Sequence, residues 1–184
     1  NERYPAEYHF RAFEAIAEGI CGCTDKVVIS FLDCYGKTKR NMRGIPLELP
    51  DEETMKRTGE RFVKTAEKYG MTVESCAETV DLSEVGVRHG SCVDPAMIER
   101  ILGVPVRVKK DKNQRPECGC VESVETGAYD TCLCGCKYCY ANDSEGAVMR
   151  RREEYDVDSP LLCGRVEEED RITVRRTSRI LTGE

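Results

Sequence analysis

Histidine is nearly absent from this chain, with only His9 and His89 among 184 residues. No Ser-His-Asp or Cys-His arrangement with supporting local sequence occurs. Each histidine reads as a hydrogen-bonded structural residue rather than a ligand or a base. Long apolar runs are also missing. None approaches the ~18 residues of a membrane span, and no charged-then-apolar signal segment opens the chain. An excess of positive charge is lacking too, since the formal net charge is -6. That argues against a general polyanion binder, because phosphate affinity comes from clustered Lys and Arg. A nucleic-acid role is therefore not expected, and the basic runs Lys37–Arg40 and Met149–Arg152 read as solvated helix faces. No internal repeat is evident. The opening Asn1-Glu2-Arg3 lacks an initiator Met, and the expectation is a truncated or processed chain.

Cysteine, by contrast, is abundant: the chain has 12. The length suits about one domain, and 40% hydrophobic with 34% charged residues is a globular composition. Without a secretion signal, that many cysteines read as thiols and metal ligands in a reducing cytoplasm rather than as a disulfide framework.

Four of them, Cys132, Cys134, Cys136 and Cys139, fall within eight residues. The inner spacing Cys132-x3-Cys136-x2-Cys139 puts three thiolates on one short loop. Three clustered thiolates suit three iron corners of a 4Fe–4S cube, because sulfur is the soft ligand such clusters take. The fourth iron is then open unless another ligand is supplied. An open iron is a place for chemistry, whereas a fully ligated cube usually carries electrons only.

The loop resembles the cluster loop of the radical S-adenosylmethionine enzymes, Cys-x3-Cys-x-aromatic-Cys, with Tyr138 in the aromatic position. That resemblance implies Cys132, Cys136 and Cys139 as cluster ligands and Tyr138 beside a bound S-adenosylmethionine. It also implies reductive cleavage of that cofactor to a 5'-deoxyadenosyl radical, with an electron donor such as ferredoxin or flavodoxin. Two features depart from the superfamily. The loop lies near the C-terminus, and no glycine-rich cofactor-binding strand follows it, so cofactor contacts are expected from upstream elements.

A wider resemblance rests on the segments VVISFLD (27–33), CAE (76–78), HGSCVD (89–94), KKDKNQRPECGCVES (109–123), GAYDTC (127–132), GCKYCYAN (135–142) and DSPLLCG (158–164). Together they resemble the C-terminal part of the bacterial domain-of-unknown-function family eighteen-forty-eight, described as carrying a C-terminal cysteine cluster of the radical S-adenosylmethionine kind. Cys134 departs from the usual residue there and reads as a bystander.

Periodicity supplies the fold expectation. Phe10, Phe13, Ile16 and Ala17 mark an amphipathic helix over 7–19, and Lys26–Leu32 reads as a buried strand with Asp33 at its end. Asp51 caps a helix through Tyr69, Gly70 stops it, and Met71–Cys76 reads as a second strand. Strand–helix–strand is a parallel βαβ unit. Two strands cannot close a barrel, so residues 1–103 are expected to be the C-terminal portion of a larger (β/α) barrel-like domain. Residues 79–103 read as short helices, including Pro95–Leu102 between Asp94 and Gly103. Residues 104–184 are expected to be an irregular, cysteine-rich metal-binding region, with a polar loop over Lys109–Pro116 and a strand at Arg171–Val174. In α/β sheets reacting groups gather at strand C-termini, which makes Asp33 and Glu78 candidate catalytic carboxylates. Both residue types are also routine helix caps there.

A second set of thiols is more dispersed. Gly119 permits the tight bend that lets Cys118 and Cys120 aim both sulfurs inward. Cys76 at a strand end and Cys92 before a helix are the natural partners. Together the four suit a structural zinc or an auxiliary iron–sulfur cluster, and the alternative is ordinary buried thiols. Cys21 and Cys23 read as unpaired, and Cys163 as core packing. Two further readings of the whole chain stay open: a non-catalytic iron–sulfur protein with Cys134 or another thiol on the fourth iron, and a zinc-binding structural or nucleic-acid-associated module.

Overall fold

The structure, a computed structural model, describes residues 3–174 and is mixed α/β. Helix α1 spans Ala6–Gly19, and α3 spans Glu52–Lys68. Asp51 caps α3 by accepting the Thr54 N–H at 2.9 Å, which satisfies one of the donors a helix start leaves unpaired. Phe13 of α1 stacks on Phe62 of α3 with ring centroids 4.2 Å apart, so the two amphipathic faces meet. Strands β1 (Lys26–Ile29) and β2 (Thr72–Cys76) run parallel, with Lys26 opposite Thr72 and Ile29 opposite Ser75. A third strand, β3 (Arg88–Gly90), pairs parallel on the other edge of β2 and sets Cys76 opposite Gly90. Met71 and Val73 are buried together with Ala17, Ala66, Leu82 and Val87, which forms one core between sheet and helices.

Several expectations are corrected. Among the described residues the sheet has three strands in the order β1-β2-β3, one more than the two expected. The first strand ends at Ile29 instead of Leu32, because the Phe31 N–H donates to Glu78 Oε1 at 2.7 Å instead of continuing the ladder. The stretch expected as short helices contains β3 and one 3-10 turn, Ser83–Val85, before α4 (Pro95–Leu102). Helix α4 begins and ends where its signals lie. Asp94 accepts the Ala96 N–H at 2.9 Å, and Gly103 adopts φ +70°, the left-handed stop favoured by glycine. The basic segment after Tyr35 holds a six-residue helix, α2 (Gly36–Asn41), and a further helix, α5, spans Glu145–Glu153. Residues 171–174 form no strand, and Val174 is 95% exposed. Among the described residues no helix is long and apolar enough to cross a membrane.

The chain divides into two compact units. One takes the described residues up to Asp33 with Pro46–Ser123, and the other takes Cys34–Ile45 with the described residues from Val124 onward. The sequence boundary at 103/104 thus falls inside the sheet unit, and residues 34–45 join the unit of the Cys132–Cys139 loop.

One ion-pair network braces the sheet. Lys26 Nζ lies 3.0 Å from Glu74 Oε2 and 2.9 Å from Asp94 Oδ2, with all three side chains largely buried. The hydrogen bond from Lys26 holds the Asp94 carboxyl below its ordinary value of 3.8. Its stabilisation is therefore complete above that value and fades as pH falls through the lower folded-state value. Asp94→Asn keeps a capping side chain and removes the charge. It is expected to lower stability by about 1 kcal/mol at neutral pH, with the difference from wild type vanishing in strong acid. Urea unfolding at the two pH values checks this.

Candidate metal centre

The Cys132–Cys139 loop is built from consecutive turns held at both ends. Thr131 Oγ1 donates to Ala128 O at 2.8 Å, and Asp130 takes a left-handed φ of +60° that Asp tolerates better than most residues. The Asp130 N–H donates to Ala141 O at 3.2 Å, which closes the loop at its base. Gly135 at φ +62° turns the chain between Cys134 and Cys136. A side chain there would meet no atom, so backbone conformation, not space, is what calls for glycine.

Asn142 organises the return limb. Its Nδ2 donates to Cys132 O at 2.6 Å, and its backbone N–H donates to Cys139 Sγ at 3.3 Å. Helix α2 adds Lys37, whose Nζ lies 3.0 Å from Tyr140 O and 2.6 Å from Asp143 Oδ1. Asn41 Nδ2 donates to Cys139 O at 3.4 Å. Ser144 then caps α5 by accepting the Ala147 N–H at 3.1 Å.

Cys132, Cys136 and Cys139 line a single cavity of about 450 Å³, with Asn41, Asn142 and Val148 among its other walls. Neither Cys134 nor Tyr138 is among those lining residues, and Tyr138 is half-buried. The thiols differ in acidity for local reasons. The backbone N–H of Cys134, followed by its thiol, holds Cys132 below the usual cysteine range. Cys134 is pushed up, first by that same hydrogen bond and then by the neighbouring charges of Cys132 and Cys136. Asn142 Oδ1 is buried and has no hydrogen-bond partner among the described residues.

The second set gathers at the C-terminal ends of β2 and β3. Cys76 is the last residue of β2, and Cys92 lies just beyond β3. Residues 109–122 fold back as a hairpin, with Lys110 bridged antiparallel to Val121 and the Glu122 N–H donating to Lys109 O at 2.8 Å. The segment expected as an exposed polar loop is thus one limb of this hairpin, and its Asp111 is buried. Val121 N–H donates to Val93 O at 3.1 Å, and Gly119 presses on Ser91 so closely that a Cβ would lie 2.5 Å from its Oγ. These contacts carry Cys118 and Cys120 into a small cluster with Ala77, Cys76 and Val93. Cys92 Sγ donates to Cys76 Sγ at 3.3 Å, and Val93 N–H donates to Cys120 Sγ at 3.3 Å. Burial pushes the Cys76 thiol up to about 12, with Cys92, Cys118 and Cys120 adding to the shift.

Beside this set stand both candidate carboxylates. Glu78 accepts from Phe31, and Asp33 pairs with Arg115. Burial raises the Glu78 pKa above its ordinary range, and the Asp33 charge adds to it, while the Phe31 N–H and Arg115 oppose. Arg115, read from sequence only as part of a polar loop, is the residue missed here. Its position ahead of the Cys118 turn is the one signal that could have found it. Asn142 was likewise passed over, although it follows Cys139 by three residues.

All twelve cysteines are free thiols. Among the described residues no three His, Cys, Asp or Glu side chains stand ready around one point as a metal-binding group. Cys21 and Cys23 are exposed, and Cys163, expected as core packing, is only partly buried beside exposed Leu161 and Leu162. His9 and His89 are both exposed.

Replacing Arg115 with Ala removes a cation that opposes the shift of Glu78. The Glu78 carboxyl is expected to titrate at still higher pH, followed by its carboxyl carbon resonance. An unchanged midpoint would show that Arg115 does not act on it.

A family model described as a domain of unknown function, DUF1848, matches residues 1–141, a span that takes in both cysteine sets. No curated protein and no solved structure matches the chain. On the strength of the family match, this chain belongs to the DUF1848 family.

Proposed function

We propose that this protein is an iron–sulfur protein whose Cys132, Cys136 and Cys139 hold a 4Fe–4S cluster with one iron open to S-adenosylmethionine. The observation that carries the reading is that these three thiols line one cavity while Cys134, in the same loop, does not. The donor chemistry suits the group. Thiolate is the ligand such a cluster takes, the cavity falls within the usual size of a small-ligand pocket, and Asn142 Oδ1 is a buried acceptor at its wall. When bound, the cluster supplies one electron for reductive cleavage of the cofactor.

The chain's own residues then have assignable tasks. Asn142 fixes the loop through the Cys132 carbonyl and the Cys139 sulfur, and Lys37 and Asn41 secure its return limb. Cys132 and Cys136 are exposed, so a one-electron donor of the ferredoxin or flavodoxin class has close access. Tyr138 is assigned to packing beside the cofactor through its place in the loop pattern. The β1-β2-β3 unit is read as one wall of a partial (β/α) barrel, with Asp33 and Glu78 as carboxylates at its strand ends. A second reading has a specific observation behind it. Cys134, two residues from Cys132 in the same loop, holds the Cys132 thiol below its usual range, and as a fourth ligand it would close the cluster and leave an electron carrier.

Electron paramagnetic resonance of anaerobically reduced protein decides between them. The expected result is a reduced 4Fe–4S signal whose shape changes on adding S-adenosylmethionine. That signal should disappear in Cys132→Ala, Cys136→Ala and Cys139→Ala and persist in Cys134→Ala. A cluster indifferent to the cofactor and lost with Cys134 would establish the electron carrier. Absence of any iron signal would overturn both.

A further inference from the structure

We infer that Cys76, Cys92, Cys118 and Cys120 form a separate, mononuclear zinc site that staples the 109–122 hairpin to the ends of β2 and β3. Four thiols from three distant segments meet here. Cys92 donates to Cys76 across 3.3 Å, and Cys76 packs against the buried cluster that holds Cys118 and Cys120. Cys118 and Cys120 are 5% and 8% exposed. Thiols are weak donors and weak acceptors, so a buried group of them gains little from contacts with one another.

The spacing of one sulfur pair favours a mononuclear site over a cubane. Zinc–thiolate bonds of about 2.3 Å put neighbouring sulfurs of a tetrahedron about 3.8 Å apart. The 3.3 Å between Cys76 and Cys92 lies close to that separation. A cubane instead carries each cysteine on a different iron, which spreads the sulfurs much further. Zinc binding would replace the Cys92–Cys76 S–H···S contact by four bonds to one ion, with release of the thiol protons. The backbones that carry these thiols are tied by the Val121–Val93 bond and by the packing of Gly119 on Ser91, so the adjustment that zinc asks for is one of side chains. The Val93 N–H to Cys120 Sγ is the type of outer hydrogen bond that neutralises and orients a metal thiolate. Ala77, directly after Cys76, holds a left-handed φ of +52°. Backbone strain of this kind persists where surrounding structure fixes it and is common beside functional groups.

The test uses the full chain with Cys132, Cys134, Cys136 and Cys139 all changed to Ala, so the outcome is independent of the cluster proposed above. Elemental analysis should find about one zinc per chain, the stoichiometry of a closed four-ligand site. Cobalt substitution should give the visible bands and thiolate charge transfer of tetrahedral tetrathiolate coordination. Adding Cys92→Ala, at an exposed position, should speed metal release to a chelator at least tenfold. If the further variants fold poorly, chelation of the fourfold variant itself serves: its thermal midpoint should fall and recover when zinc is returned. Iron with acid-labile sulfide in the fourfold variant would overturn the inference. So would a Cys76–Cys92 disulfide without metal, or zinc retention unaffected by Cys92→Ala and Cys120→Ala.

Discussion

The pairing of β2 with a parallel neighbour on each edge is the constraint on which the sheet unit depends. Lys26 to Ile29 fix one edge, and Arg88 to Gly90 fix the other. Successive side chains of a strand face opposite sides, so Val73 and Ser75 are buried while Glu74 and Cys76 lie on the half-buried side. A slip of one residue would exchange those faces. It would expel Val73 from the core beneath α3 and break the Lys26–Glu74 contact. The register also sets Cys76 opposite Gly90, two residues ahead of Cys92, and Gly90 has no room for a side chain because a Cβ would lie 2.7 Å from Glu74 Cβ. Packing at the middle of the sheet thus decides which thiols meet at its end.

The long elements were legible because several local signals agreed. For α3, an Asp cap, an apolar stripe and a Gly stop all point to one helix; for α4, Asp94, Pro95 and Gly103 do the same. The unread elements lack such agreement. With three residues, β3 is too short for alternation to register, and its partners come from β2. Helix α2 is polar around its circumference and depends on a contact that periodicity does not report, the Tyr35 N–H donating to Thr38 Oγ1 at 2.9 Å. Helix α5 has a Ser cap but no apolar stripe, with Val148 as its one buried residue. At the site, spacing located the three loop thiols because they are close in sequence. The Arg115–Asp33 pair spans 82 residues, and no local pattern encodes it. The proximity of Cys76 and Cys92 to the Cys118-Gly119-Cys120 turn followed from topology, since strand ends and the turn after them are natural meeting points.

The two thiol sets sit in physically different surroundings, and that contrast favours different chemistry for each. Cys118 and Cys120 are enclosed by backbone hydrogen bonds and by Ala77 and Val93. These two sulfurs offer little surface to a substrate or an electron donor, and the exposed thiol of the set is Cys92. A zinc ion held by all four thiols, as inferred above, would take its full ligand complement from the chain, which suits stabilisation of a hairpin with little apolar core of its own.

Cys132 and Cys136, on the other hand, are exposed on a loop whose order comes from polar contacts of Asn142, Asp130 and Lys37. Polar anchoring of this kind positions a loop without covering it. Chemistry at an open iron needs that condition, because both the donor and the second ligand must reach the metal. A cluster carrying electrons alone would gain from deeper burial, which protects its sulfurs from solvent and oxidants. The exposure of the loop thiols beside a cavity, set against the burial of Cys118 and Cys120, is the physical difference on which the two proposals, an open centre on the loop and a structural one at the strand ends, both rest.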